Sequence, residues 1–227
     1  SFIPNTAETA FYGMVKGVEN EIKKIQNKRI SSLESKTSHE NIETILSMRP
    51  RVEKLVIKDV KLRTFITDDI NRDDLVAHVY DVTYGQVRKN DTLVLLDDSI
   101  VRGTTLRNSI LRIVDRLNPK KVIIVSSAPQ IRYPDCYGID MSKLNDFIAF
   151  RAAIALLKER NMASVIKDVY KDCIDQIGLP KDSVVNSVKK IYAPFSPEEI
   201  SKKISEIIKP KEMSADFEIL YQSIESL

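Results

Sequence analysis

Hydrophobic positions follow two periods along this chain. From Ala7, the residues Ala10, Phe11, Met14, Val15, Val18, Ile22 and Ile25 keep one helical stripe. Asn5, with Glu8 three residues on, predicts a capped start for that helix. Polar residues 27 to 41 read as a loop or a solvent-exposed hairpin, before a short helix around Ile42, Ile45 and Leu46. Phe2-Ile3-Pro4 reads as a strand end, and Leu55-Val56-Ile57 and Leu62-Arg63-Thr64-Phe65-Ile66 as strands. Residues 67 to 91 hold charges, a weak apolar patch at Leu75-Val76-Ala77 and a turn at Gly85. Then the short apolar run Val94-Leu95-Leu96 stops at two carboxylates, Asp97-Asp98. A Gly103-Thr104-Thr105 loop follows, and the spacing Leu106, Ile110, Ile113, Val114, Leu117 predicts a helix that Asn118-Pro119 ends. Lys121 to Ser127 has the composition of a buried parallel strand.

Strands alternating with helices place the chain in the α/β class, with a twisted parallel sheet flanked by helices. Ligands in such sheets sit at the carboxyl ends of strands, where Asp97 and Asp98 lie. Beyond residue 141 helices dominate. One is predicted from Ser142 to Glu159, and a second carries Met162, Val165, Ile166, Val169, Tyr170, Cys173, Ile174 and Ile177 until Gly178 and Pro180 stop it. Cys173 on that stripe reads as a buried apolar thiol. Val184 to Tyr192 reads as a strand. Ser196-Pro197-Glu198-Glu199 supplies an N-cap, a proline at the first helical position and a capping box. The expected division is a core over residues 1–160 and a mainly helical extension over 161–227.

Composition narrows the function classes. A chain of 227 residues is one domain, or one with an appended subdomain. With 35 basic and 32 acidic residues, the net charge of +3 gives no basic stripe of the kind nucleic-acid binders show. The apolar runs are too short for a bilayer. Two cysteines and no secretion signal point to a cytoplasmic protein. His39 and His78 lack Cys or His partners at ligand spacing, so no zinc site is expected. The chain opens at a strand end without an initiator methionine, and is expected to be an N-terminally truncated piece of a longer protein.

The segment from Asp97 to Thr105 carries candidate chemistry. N–H groups at a helix start, with the helix dipole behind them, bind a phosphate. Gly103 lets the backbone approach closely, and Thr104 and Thr105 add hydroxyl donors. Asp97 and Asp98 are acceptors suited to ribose hydroxyls or a hydrated cation.

The string Asp97-Asp98-Ser99-Ile100-Val101-Arg102-Gly103-Thr104-Thr105 resembles the loop with which type I phosphoribosyltransferases bind 5-phosphoribosyl-1-pyrophosphate (PRPP). Ser127-Ala128-Pro129-Gln130-Ile131-Arg132-Tyr133-Pro134-Asp135-Cys136-Tyr137-Gly138-Ile139-Asp140-Met141 resembles a segment that marks the amidophosphoribosyltransferase family among them. Ile3-Pro4-Asn5-Thr6-Ala7 is similar to the family's strand-end loop, with Thr6 as the hydroxyl residue and Asn5 where many members have an acid. Lys58 and Lys61 to Ile66 look like the basic strand entering the family's flap, although Thr67 to Val87 is acidic where many members are basic.

The resemblance implies a glycosyltransferase of the pentosyl class, acting in purine synthesis. PRPP and ammonia, drawn from glutamine in the full enzyme, give 5-phosphoribosylamine and pyrophosphate. Mg²⁺ is the implied cofactor, held by Thr6, Asp97 and Asp98. Arg102, Gly103, Thr104 and Thr105 would hold the 5-phosphate, with Ser99, Ile100 and Val101 as further substrate-binding positions of the loop, and Lys58 and Arg63 would steady the pyrophosphate. Asp97 and Asp98 are the implied catalytic pair. A homo-oligomer under feedback by purine nucleotides is also implied. No glutaminase domain is expected within this chain. Nor is an iron–sulfur cluster, since Cys136 and Cys173 cannot supply four thiolates. Two other readings stay open: a PRPP- or purine-sensing module without turnover, and a phosphoribosyltransferase for a free base.

Overall fold

The computed structural model describes residues 1–3, 7–33, 39–58, 80–83, 85–135 and 141–226. In chain order its elements are α1 (Glu8–Ser31), α2 (His39–Leu46), β1 (Val56–Lys58), β2 (Tyr80–Val82) and β3 (Thr92–Asp97). A π-helical stretch, Leu106–Ile110, leads into α3 (Leu111–Asp115), and β4 (Lys121–Ser126) follows. Then come α4 (Ile148–Glu159), α5 (Ser164–Asp175), α6 (Lys189–Tyr192), α7 (Pro197–Ile208) and β5 (Asp216–Tyr221).

The expected α/β architecture is present: a parallel sheet of order β3-β4-β5 flanked by helices. Its register runs Leu93–Val122–Phe217, Leu95–Ile124–Ile219 and Asp97–Ser126–Tyr221. One face is covered by α3, α4 and α7, whose Leu111, Leu157, Ile200 and Ile204 meet Leu95, Ile124 and Ile219 in one buried cluster. Each such side chain contributes roughly 1.5–3 kcal/mol on leaving water. On the other face Phe2, Ala7 and Phe11 bury Leu96. The predicted strand end at Phe2-Ile3 pairs with β3: Ile3 donates its N–H to the Leu96 carbonyl at 2.7 Å. A separate antiparallel pair, β1 with β2, brackets residues 59 to 79, so the expected strand at Leu62–Ile66 and residues 67–79 of the flap lie outside the described residues.

Several expectations need correction. The N-cap of α1 is Ala7, without a side-chain cap, and Asn5 lies outside the described residues. Glu8 is itself the first helical residue, so it closes no capping box. That helix runs to Ser31, where a loop was expected from residue 27. Lys28 and Arg29 suit the negative end of its dipole, and Gln26 Nε2 donates to the carbonyls of Ile45 and Leu46 at 3.0 and 3.1 Å, tying it to the end of α2.

The helix predicted from Ser142 begins only at Ile148. Phe147 is extended, and the Ile148 N–H donates to the Val101 carbonyl at 2.8 Å. No strand forms at Val184–Tyr192. The Val185 and Val188 N–H groups are taken by the side chains of Gln176 and Asn186, and Lys189–Tyr192 turns into α6. Such local side-chain acceptors compete with a strand ladder. Cys173 is exposed rather than buried, because only Val169 of α5 is fully covered and the outer stripe at Tyr170 and Ile174 faces solvent.

The predicted start of α7 forms in full. Ser196 Oγ accepts from the Glu199 N–H at 3.2 Å, and Glu199 Oε2 accepts from the Ser196 N–H at 2.9 Å. Strand β5 was not foreseen, although Phe217 and Ile219 alternate with polar neighbours. Among the described residues no helix is long and apolar enough to cross a membrane.

Candidate functional site

The end of β4 fixes the backbone of the acidic pair. Ser127 donates its N–H to the Asp97 carbonyl at 2.9 Å; the Ala128 N–H and Ser127 Oγ donate to the Asp98 carbonyl at 3.1 and 3.0 Å. The side chains then organise the turn that leaves β3. Asp97 Oδ1 accepts from the Asp98 N–H at 3.0 Å, and Asp98 Oδ1 accepts from the Ser99 N–H at 2.8 Å. Asp97 projects on the same face as Leu95, one row farther along. Burial, and then the neighbouring Asp98 charge, push its carboxyl up to about 7. A carboxylate held there resists its own ionisation and gains from a cation or a hydroxyl donor beside it.

The loop that follows is anchored at both ends. Ile100 is buried in the main core, so its side chain is an anchor. Val101 accepts from the start of α4, and Arg102 pairs with Asp146 at 3.5 Å. Gly103 has φ +72, and a Cβ there would lie 2.5 Å from Ile208 Cδ1 and 2.9 Å from its Cγ1. Glycine takes that conformation freely, and a larger residue there would have to displace the end of the Ile208 side chain. The Arg107 N–H then donates to the Gly103 carbonyl at 3.0 Å and opens the helical run. Thr104 and Thr105 are exposed at this helix start, where the first N–H groups have no intrahelical partner. Acidic pair, glycine turn and helix start thus meet at the carboxyl end of the sheet.

Three expected site residues do not join this group in the described structure. Thr6 and Arg63 lie outside the described residues. Lys58 is the last residue of β1, paired with Tyr80 in the separate two-stranded unit, and its side chain is not described. Cys136 lies outside as well. Among the described residues no three His, Cys, Asp or Glu side chains gather as a metal cluster. Two adjacent carboxylates match how Mg²⁺ is commonly held, by one or two carboxylates with water and substrate phosphates completing its octahedron.

Part of the Ser127–Met141 motif is a structural clasp. Arg132 Nε and Nη2 donate to Gln130 Oε1 at 3.1 and 2.8 Å. Gln130 Nε2 donates to the Pro197 carbonyl and Ser201 Oγ at 2.7 and 2.8 Å. Tyr192 OH donates to the Arg132 carbonyl at 2.7 Å, beneath the guanidinium. These bonds join the segment after β4 to α6 and α7. Tyr221 of β5 also reaches the site's edge and was missed by sequence reasoning. Its signal was the alternation of residues 216–221.

No family model matches the chain. It is similar to the amidophosphoribosyltransferase of Pasteurella multocida, 47% identical over 62 residues, which is 27% of this chain and 12% of that one. The Escherichia coli amidophosphoribosyltransferase is 44% identical over 61 residues, 27% of this chain and 12% of the relative. That of Methanocaldococcus jannaschii is 36% identical over 100 residues, 44% of this chain and 21% of the relative. The chain is thus related in sequence to amidophosphoribosyltransferases and spans 12% to 21% of the length of these three. A solved glutamine PRPP amidotransferase of B. subtilis, complexed with ADP and GMP, is 25% identical. It covers 72% of this chain and 30% of its own, at a TM-score of 0.33, too low to bear on fold or function.

Proposed function

We propose that this chain is the phosphoribosyltransferase part of an amidophosphoribosyltransferase, converting PRPP and ammonia to 5-phosphoribosylamine and pyrophosphate in purine synthesis. The observation that supports it is the arrangement at 97–105. A half-buried strand end presents two carboxylates, and a glycine with φ +72 turns the chain into an exposed helix start. In this reading residues 1–160 form the PRPP-binding core. Residues 161–227 form an extension whose last strand extends the core's sheet.

The reaction joins the nitrogen lone pair of ammonia to C1 of the ribose while the C1–O bond to pyrophosphate breaks. The bonding pair leaves with pyrophosphate, and the new amine sheds a proton to water. Positive charge grows on the sugar and negative charge on the leaving group, so positioning and charge stabilisation supply the catalysis. Asp97 and Asp98 hold the ribose hydroxyls and orient C1. The backbone and hydroxyls from Arg102 to Thr105 grip the 5-phosphate, and Ser99 to Val101 set the loop's path. Mg²⁺ held by Asp97, Asp98 and Thr6 would neutralise the pyrophosphate when bound. Lys58 and Arg63 would steady the same leaving group from the flap side. A cytoplasmic homo-oligomer, supplied with ammonia from glutamine and inhibited by purine nucleotides, completes the reading.

Calorimetric titration of PRPP with Mg²⁺ into the chain and into Asp98→Asn tests it. Binding by the parent and none by the variant is expected. Equal affinities for the two would refute the assignment.

A further inference from the structure

The last row of the sheet is polar across all three strands. Asp97 of β3 pairs in register with Ser126 of β4, and Ser126 with Tyr221 of β5. Residues in register on parallel strands project from the same face, so the three side chains stand in line. They lie one row beyond Leu95, Ile124 and Ile219, which are all buried. Ser126 is fully buried, and its hydroxyl is satisfied by donating to the Ala128 carbonyl at 2.8 Å. Tyr221 differs. Its hydroxyl oxygen is buried and has no hydrogen-bond partner among the described residues. Leaving such a group unpaired costs roughly 1–3 kcal/mol. Burial, and after it the charge of Asp97, hold the phenolic proton more tightly than usual, so the group remains a donor at neutral pH.

The chemistry of what fits beside both residues is constrained. It must accept from a phenol and donate to a carboxylate. An ammonium cannot accept, and a fully ionised phosphate oxygen cannot donate. A hydroxyl does both. We propose that Tyr221 is a substrate-binding residue, its phenolic O–H donating to a ribose hydroxyl that in turn donates to Asp97. The inference rests on the phosphoribosyl reading of the site. It makes the C-terminal strand part of the site.

The test uses two probes on the full chain, ribose 5-phosphate and inorganic phosphate, titrated by calorimetry into the parent and into Tyr221→Phe. Inorganic phosphate reports on the loop at Gly103–Thr105 without a sugar contact. The variant should bind ribose 5-phosphate five- to twentyfold more weakly and phosphate unchanged. It should also melt no lower than the parent, because an unpaired buried hydroxyl has been removed. Equal ribose 5-phosphate affinity in parent and variant overturns the role of Tyr221 and leaves the phosphoribosyl reading standing. A parallel loss for both probes marks a structural role and overturns it too. A parent that binds neither probe overturns both proposals together.

Discussion

Asp97→Asn should stabilise this protein at neutral and alkaline pH while destroying its proposed ligand site. The ordinary carboxyl value of 3.8 rises to about 7, first through burial and then through Asp98. Between those two values the folded chain holds a proton that the unfolded chain has released, so stability falls as pH rises through this window. Above it the cost is complete, on the order of 4 kcal/mol at 1.36 kcal/mol per tenfold. The amide has the same shape and no charge to bury. Its gain should therefore be near zero below pH 4, grow between pH 4 and 7, and reach that order by pH 8. In a chain of this size it corresponds to a rise on the order of 10 °C in Tm. Urea unfolding of both proteins at pH 4 and pH 8, at one ionic strength, measures it. Mg²⁺ added at pH 8 should stabilise the parent, by binding the folded state alone, and leave the variant unmoved. A variant no more stable than its parent at pH 8 would refute the buried-charge argument.

Two further substitutions test the supports of the site. Gly103→Ala forces a left-handed alanine and a contact with Ile208, costing on the order of 2–4 kcal/mol. Adding Ile208→Val, which removes Cδ1 but keeps Cγ1, should recover part of the packing share in thermal melts and leave the backbone share, and full tolerance of Gly103→Ala would count against the loop geometry. Ser196→Ala removes one half of the α7 capping box and should cost about 1 kcal/mol in urea unfolding, with ligand affinity unchanged. A fall in affinity there would mean that α7 moves with the loop.

What was legible in the sequence was whatever local chemistry decides. The β3 run ends where two carboxylates begin. Asn118 takes up a left-handed φ of 55 just before Pro119, at the predicted helix stop. The Ser196–Glu199 box needs nothing beyond four neighbouring residues. Tertiary partners decided the rest. The α5 stripe is amphipathic over its whole length, but only the part around Val169 meets the core, so periodicity placed Cys173 inside when it is outside. Val184 and Val185 have strand-forming side chains, but Gln176 takes the backbone of Val185. Strand β5 owes its place to pairing with β4, almost a hundred residues earlier, and so does Tyr221. The grouping of Asp97, Asp98 and the glycine turn was readable because all of it lies within nine consecutive positions.

The place of β5 bears on how the chain is made. Ala215 donates its N–H to Asp115 Oδ1, a bond between residues 100 positions apart, and the next residue starts the strand. Until ribosomes have delivered that strand, β4 presents an unpaired apolar edge to any other chain able to form a β-ladder with it. Contacts this distant in sequence close slowly. A product cut short before Asp216 would keep the acidic pair and the glycine turn, yet its fate would be set by that open edge. Such shortened chains should appear in the insoluble fraction, and full-length chains in the supernatant.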